Sequence, residues 1–315
     1  MNSDKNSKEI RTSIGGQALI EGIMMRGPKK QSIVVRTKDG LVTKTEELKL
    51  LKDKYPIVGV VFIRGIVNFI NSMTTGVRAL MFSADYLPEE QQEEPSRFEQ
   101  WIDRRFGSEK AEKAVVTFSV VLGVALSVGL FMLLPTFLAG LVSGFIENNI
   151  LRNLLEGVLR ITIFLAYMWL ATRLSDIKRM WAYHGAEHKT IFCYEKGFPL
   201  TIENVRAQPR THPRCGTSFL FIVMIISILV FSTISWTNVW IRMALRLLLL
   251  PVVVAISYEV IKLAGRYDNA LTRIISAPGK ALQRLTTKEP DDEMIETAVE
   301  AMLLVIPDDA KEAEW

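Results

Sequence analysis

The sequence has few of the residues that build disulfide-rich or nucleic-acid-binding domains. It contains two cysteines, which are too few for a disulfide framework. Its first 13 residues are polar, so no signal peptide is expected and the first membrane-insertion signal must be internal. There is no dense run of lysine and arginine and the net charge is only +4, which argues against nucleic acid as a partner. A hydrophobic content of 49% beside 23% charged residues instead predicts a membrane core with water-exposed parts.

Four long apolar segments predict transmembrane helices, since about 20 apolar residues cross roughly 30 Å of hydrocarbon. They are Ala114–Ile146, Leu154–Thr172, Cys215–Ile241 and Met243–Leu263. The first and third contain no charged residue, whereas the other two are weaker and could instead belong to a soluble core. Within the second segment Glu156 and Arg160 are four residues apart, so they share a helix face and can neutralise each other.

The charges of the loops predict the orientation. Residues 137–151 contain no lysine or arginine, while segment 173–214 contains eight. The positive-inside rule therefore places segment 173–214 in the cytosol. With four spans, both termini are then expected in the cytosol, and the protein is a multi-pass protein of the cell membrane.

The predicted fold is mainly α: a polytopic membrane protein with four transmembrane helices and a small cytosolic β element at its N-terminal side. Residues 1–56 form the β region, with a hairpin turn at Lys38-Asp39-Gly40. Residues 57–113 comprise an amphipathic or re-entrant helical segment over 57–85 and an acidic linker over 87–100. Residues 114–266 form the membrane core with its loop 173–216, and 267–315 a cytosolic helical tail. Within this tail, Pro290-Asp291-Asp292 opens a short amphipathic helix with Ile295, Val299 and Met302 on one side. A fifth span within 57–85 is the main alternative, and it would place the N-terminus outside.

Chemistry-bearing residues are concentrated in the loop between the second and third predicted spans. All three histidines and both cysteines of the chain lie there or at its edge. His184 and His188 are one turn apart on a predicted helix, Ser175 to Lys196, which is the spacing at which two imidazoles bind one zinc ion. Glu187 is adjacent and could deprotonate a metal-bound water. The string His184-Gly185-Ala186-Glu187-His188 matches the H-x-x-E-H pattern of inverted zincins.

The residues leave two metal-site hypotheses open. In one, His184, His188, His212 and Cys215 close a tetrahedral structural zinc site. In the other, two or three of them bind a divalent metal and an open position holds water, with Glu187 as the base. Glu187 slightly favours the second, because a structural site does not need it. The spare carboxylates that could join as ligands are those of Glu195, Glu203 and Glu259.

The segment from Arg210 to Ser218 also fits an anion. Basic side chains, Arg214 among them, precede a predicted helix N-terminus that carries hydroxyl residues. Free amides and the positive end of the helix dipole favour a phosphate group there. The alternative is that Thr217 or Ser218 only caps the helix while the arginines are topology signals.

These motifs resemble a known family. The stretches 15–27, 183–190 and 212–219, together with Ser257-Tyr258-Glu259, are similar to signatures of the YqhQ-like family of uncharacterised bacterial membrane proteins. The resemblance runs from about residue 14 to residue 305. It implies a metal-dependent enzyme, since the family is described as a predicted one, but it supplies no reaction or substrate.

The first of these signatures holds three polar residues, Gln17, Glu21 and Arg26, among glycines and apolar side chains. In one hypothesis this strand folds over the metal loop and Glu21 becomes a ligand or an acid. In the other, Glu21 forms a buried ion pair with Arg26 or Arg64 that holds the β region to the membrane core.

The leading functional hypothesis is a zinc-dependent, hydrolase-like enzyme at the cytosolic membrane surface, acting on a lipid-linked or phosphorylated substrate. A second is a transporter or channel component, with Glu156, Arg160 and Glu259 along a polar path. Four spans are a small scaffold for a transporter unless the chain forms a homo-oligomer. A third is an assembly factor whose zinc only stiffens the loop.

Overall fold

The computed structural model describes residues 10–48, 55–87, 108–146, 148–234, 238–267 and 269–314. The predicted acidic linker lies almost wholly outside the described residues. The chain divides into two compact units. The first contains Met1–Leu87, Met168–Ser227 and Leu250–Trp315, and the second contains Pro88–Tyr167 and Ile228–Leu249.

The architecture is mainly helical with a small antiparallel sheet near the N-terminus, as predicted. The strands are β1 (Gly15–Leu19), β2 (Gly22–Arg26), β3 (Lys30–Thr37) and β4 (Gly40–Glu47). The helices are α1 (Ile63–Ala84), α2 (Ser108–Val128), α3 (Leu134–Leu141), α4 (Asn149–Ala171), α5 (Ser175–Glu195), α6 (Ile202–Arg206), α7 (Gly216–Ser232), α8 (Val239–Arg266), α9 (Ala270–Thr286) and α10 (Asp292–Leu303). A π-helical segment, Gly129–Leu133, joins α2 to α3, and short 3₁₀ turns occur at Pro56–Gly59, Ser143–Phe145 and Ala310–Ala313.

The sheet has the order β1-β2-β3-β4, with every neighbouring pair antiparallel. The predicted hairpin is confirmed: Thr37 pairs with Gly40 across a two-residue turn. Gly40 has φ +125°, a backbone conformation that residues with a Cβ rarely adopt. This turn chemistry sets the register of β3 against β4.

Both faces of the two central strands, β2 and β3, are buried within the first unit. Met25 and Val34 pack into a cluster with residues of α5 and α10. Their neighbours Met24 and Ile33 point the other way and pack with Ala79 of α1. Successive side chains of a strand point to opposite faces, so the apolar residues of β2 and β3 pack into two layers, one on each face. The C-terminal half of α1 is therefore a cover for the sheet.

The C-terminal helix was predicted from Pro290 onward, with Ile295, Val299 and Met302 on one side. It is observed as α10, and the Asp291 carboxylate caps it by accepting the Met294 N–H at 2.9 Å. Ile295 and Met302 are fully buried. The prediction is confirmed, and the buried face of α10 packs against α5 and the sheet.

Three described helical segments are long and apolar enough to cross a membrane: Ala114–Leu141, Ile150–Ala171 and Trp240–Arg266. They indicate a membrane protein. The fourth predicted span is not confirmed, because α7 has 17 residues and, at about 1.5 Å per residue, reaches only about 25 Å. The helix α1 is not among the three, so the alternative of a fifth span has no support from the described residues.

Buried charges of the second unit form one cluster. Glu156 accepts hydrogen bonds from Arg160 at 2.9 Å and from the Thr136 hydroxyl at 3.1 Å. Arg246 of α8 donates to the same carboxylate oxygen. The predicted Glu156–Arg160 contact is confirmed, and the cluster ties together α3, α4 and α8. Buried charges are tolerated when they are paired in this way.

Candidate metal centre

Helix α5 carries two of the candidate ligands at the predicted spacing. It spans Ser175–Glu195 and is followed by Gly197, whose φ of +70° ends the helix as expected. The rings of His184 and His188 lie one turn apart, with centroids separated by 4.3 Å. Cys215, immediately before α7, completes a group of three whose ligand atoms all lie within 4.8 Å of one another.

Backbone carbonyls set the orientation of both imidazoles. His184 Nδ1 lies 2.9 Å from the Thr286 carbonyl oxygen, and His188 Nδ1 lies 2.6 Å from that of Arg210. A carbonyl oxygen can only accept, so each Nδ1 carries the proton and each Nε2 keeps its lone pair. His184 Nε2 then faces the Cys215 sulfur at 3.1 Å. Metal-binding histidines are commonly oriented by this kind of outer hydrogen bond.

The three donors fit a zinc ion. Among the described residues, the buried Nε2 of His188 faces the Cys215 thiol and has no other hydrogen-bond partner. An unsatisfied buried nitrogen is costly unless something binds it. Zn–N and Zn–S bonds of about 2.0–2.3 Å require ligand atoms roughly 3.5 Å apart in a tetrahedral site. A shift of about 1 Å or less therefore closes this group around zinc.

The Cys215 thiol lies in surroundings that favour its ionised form. Burial opposes ionisation, but the neighbouring His188 and hydrogen bonds from Thr217 outweigh it, so the Cys215 pKa lies below its ordinary value. The Thr217 amide contacts the sulfur at 3.4 Å, at the N-terminus of α7. A helix N-terminus stabilises a thiolate, which is the form that binds metals.

Glu187 is enclosed beside the three candidate ligands. Burial raises its pKa to about 7, while the neighbouring His184 opposes that shift. Its carboxylate accepts the N–H of Gly16. A Cβ at position 16 would lie 3.0 Å from the Glu187 carboxyl carbon and 2.8 Å from the Met24 carbonyl oxygen. The first strand thus lies over the helix that carries Glu187, as one of the sequence hypotheses expected. The contact is made by the backbone of Gly16 and not by the Glu21 side chain.

Gly185 allows a second close approach. The segment after α9 crosses α5 here, and the Lys288 amide donates to the Trp181 carbonyl at 2.8 Å. A Cβ on Gly185 would lie far inside contact distance of the Lys288 carbonyl oxygen. The same crossing places the Thr286 carbonyl on His184. A residue with a side chain at position 185 would displace the group that orients the first ligand.

His212 was predicted as a ligand, but it lies outside the group of three. Its Nε2 is 3.2 Å from Glu195 Oε2, and its ring centroid is 5.8 Å from that of His188. Burial lowers the His212 pKa, and Arg214 adds to the effect, although Glu195 opposes it. Arg214 and the Thr12 amide bind the other Glu195 oxygen. Glu195 is therefore engaged with these partners rather than standing as a spare metal ligand.

Gln283 fixes the backbone that carries this histidine. Its side chain accepts the His212 N–H at 2.7 Å and donates to the His212 carbonyl at 2.7 Å. It also donates to the Ser218 hydroxyl at 3.1 Å. Gln283 is fully buried, and its contacts hold the stretch that ends in Cys215.

The other polar residues of the first signature lie apart from the ligands. Glu21, which has φ +48°, accepts two hydrogen bonds from Arg179 at 2.5 and 2.6 Å. The alternative in which it pairs with Arg26 or Arg64 is therefore wrong. The side chain of Gln17 packs against Gly76 of α1, and burial lowers the Arg26 pKa.

The remaining candidates are dispersed. Glu203 is exposed in the first turn of α6, and Glu259 forms a two-pronged ion pair with Arg64. Arg210, from the segment predicted to bind an anion, approaches Glu289 at 3.7 Å. The structure thus brings together His184, His188 and Cys215, with Glu187 beside them.

Comparison with known proteins gives the family. The family described as "Protein of unknown function (DUF1385)" matches residues 60–308, a stretch that includes all three grouped ligands. The chain is also 34% identical over 299 residues to "Uncharacterized protein YqhQ" of Bacillus subtilis (strain 168), covering 93% of this chain and 92% of that protein. The chain belongs to this family. The YqhQ-like resemblance of its motifs is thereby confirmed. No solved structure matches significantly.

Membership of this family does not identify a reaction, so any chemistry is inferred from the residues themselves. Sequence reasoning missed Thr286, Gln283 and Arg179, which hold candidate ligands or neighbouring polar groups in place. No local motif marks them. Gly185 did offer a signal, because a glycine inside a helix costs about 1 kcal/mol relative to alanine and usually has a packing reason.

Proposed function

We propose that this family member is a membrane-bound, zinc-dependent enzyme of the hydrolase type, with zinc held by His184, His188 and Cys215. The proposal rests on the two backbone carbonyls that orient the imidazoles of His184 and His188. They direct both Nε2 atoms toward one cysteine sulfur, as in a shared metal site.

Each residue would have a distinct role. His184, His188 and Cys215 supply three protein ligands, the number typical of catalytic rather than structural zinc sites. When bound, zinc acts as a Lewis acid and activates water. Glu187 accepts the proton, and the Gly16 N–H holds its carboxylate in position. Burial of the site keeps bulk water away from these charges.

The burial of His188 and Cys215 favours one alternative, a closed zinc site that stiffens the loop of an assembly factor. The transporter alternative draws less support, because Glu156 is held by ion pairs to both Arg160 and Arg246. A structural and a catalytic zinc site both require metal, so metal content is tested first.

Purified wild-type protein is expected to contain about one zinc per chain, and His184→Ala about a tenth of that or less, since two ligands are too few for a stable zinc site. The measurement is elemental analysis after purification without chelators. Cys193→Ala is the matched control: Cys193 is buried in a separate cluster and should leave the zinc content unchanged. Metal-free wild-type protein, or equal zinc in His184→Ala, would refute the metal centre.

For topology, we propose that α7 is a short fourth span and that both termini are cytosolic. Its 17 residues are at the lower end of the usual range of about 17–25. Reporter fusions at residues 50, 195 and 285 should then report the cytosol, and fusions near 147 and 238 the outside. A cytosolic signal at 238 with an external signal at 285 would show that α7 does not cross. An external signal at 50 would show that the segment 57–85 crosses.

A further inference from the structure

A cavity of about 270 Å³ lies in the first unit, beside the His212–Glu195 pair. Phe192 of α5, one turn beyond His188, forms part of its wall, and so does Arg214, which directly precedes Cys215. The cavity therefore adjoins the elements that carry the candidate metal ligands, without containing a ligand itself. The charged residues that line it, within the described part of the chain, are Arg11, Lys196, Arg214, Arg273, Lys280 and Glu195.

The lining is strongly cationic. Five of these charged side chains are basic and one is acidic. The one carboxylate, Glu195, is already engaged by Arg214, by the Thr12 amide and by His212. Each of its oxygens thus has a partner that is close and buried. Among the basic residues, Arg11 also donates to the Arg266 carbonyl and Lys196 to the Gln208 side-chain carbonyl, which are neutral acceptors. Basic side chains thus outnumber acidic ones in the described lining, which favours an anion, and guanidinium and ammonium groups are the usual partners of phosphate.

Two hydroxyl residues and the end of a candidate membrane span form another part of the cavity wall. Thr272 and Ser276 of α9 line it. Ala264 and Gly265, which also line it, are among the last residues of the candidate span Trp240–Arg266. The end of a membrane span lies at the depth of lipid headgroups. The volume is slightly below the usual range of about 300–1,000 Å³ for ligand pockets, so it suits one small charged group.

We propose that this cavity binds the phosphate group of the substrate, carried by a soluble phosphorylated compound or by a lipid headgroup. The inference rests on the proposed function in that it names the substrate class of the same enzyme. It places the anion on α9 and the end of α5, whereas the sequence had suggested the N-terminus of α7. At that N-terminus the Thr217 amide contacts Cys215 and the arginines approach carboxylates.

The test is phosphate binding by the full-length protein in uncharged detergent. The probes are inorganic phosphate, against chloride at equal ionic strength, and dioctanoyl phosphatidic acid, against dioctanoylglycerol. Lys280→Met should weaken binding at least about tenfold, since it removes a charge from the lining. Arg284→Met is the matched control, because Arg284 is exposed on the same helix and does not line the cavity; its affinity should be that of the wild type. Arg273→Met is a second cavity variant, and thermal unfolding verifies that each variant is folded.

The two probes identify the source of the phosphate. Similar affinity for both would indicate a soluble phosphorylated ligand, and markedly tighter binding of the lipid would indicate a headgroup. The inference fails if neither probe binds better than its control, or if folded Lys280→Met and Arg273→Met both bind like the wild type.

His188→Ala separates this inference from the proposed metal centre. It should lose zinc and keep its phosphate affinity, because the cavity contains no proposed ligand. Loss of phosphate affinity in folded His188→Ala would place the anion on the metal and overturn the cavity site. Zinc without phosphate binding in the wild type would refute only the cavity. Phosphate without zinc would refute only the metal centre.

Discussion

Glu187→Gln is expected to keep the bound zinc and the fold while abolishing the protein's function in the cell. The amide is nearly isosteric with the carboxylate but cannot accept a proton, and a general base typically contributes about 10²–10⁴-fold to a rate. His188→Ala should lose the zinc as well as the function. The measurement is complementation of a deletion strain, combined with zinc content and thermal stability of each purified variant.

Glu203→Gln is the matched control, since Glu203 is exposed on α6 and should complement fully. A structural zinc site predicts a different pattern: His188→Ala would destabilise the protein, and Glu187→Gln would be nearly silent. Full complementation by zinc-loaded Glu187→Gln would therefore exclude the enzyme in this form.

Gly185→Ala should destabilise the protein by about 3 kcal/mol, the upper part of the range for overpacked sites. The new methyl group would collide with the Lys288 carbonyl oxygen and push the segment after α9 away from α5. That movement would also withdraw the Thr286 carbonyl from His184, so zinc affinity should fall with the melting temperature. Thermal unfolding in detergent and zinc content measure the two effects.

Whether Gly185→Ala stabilises or destabilises the protein tests the contact between α5 and the segment after α9. In a helix interior with free space, alanine is better than glycine by about 1 kcal/mol. A stabilised Gly185→Ala protein would therefore show that the segment does not lie against α5. Gly216→Ala is the control next to Cys215: its Cβ would meet nothing within 4 Å, so its stability should change by no more than about 0.5 kcal/mol.

Local patterns predicted the elements whose boundaries are set by local chemistry. The hairpin follows from Gly40, the end of α5 from Gly197 and the start of α10 from Asp291. Each depends on a conformation or a cap within a few residues, which a sequence displays directly. The one-turn spacing of His184 and His188 is predictable for the same reason.

Contacts between residues that are distant in sequence could not be predicted in this way. Between His212 and Cys215, the sequence offered no basis for knowing which one joins the helix histidines. The outcome depends on Glu195 and Gln283, which engage His212 from other elements. The length of α7 is a similar case. The uncharged stretch continues to Ile241, but the helix ends at Ser232, because hydropathy does not mark where helical hydrogen bonding stops.

The Thr286 carbonyl and the Gln283 side chain have a consequence for biosynthesis. Both groups follow the last apolar helix along the chain, yet they position His184 and the His212 stretch, which precede α7. A ribosome therefore releases the candidate ligands before it releases the residues that orient them. The arrangement of His184 and the His212 stretch seen in the structure is complete only when the C-terminal segment has emerged and packed against α5.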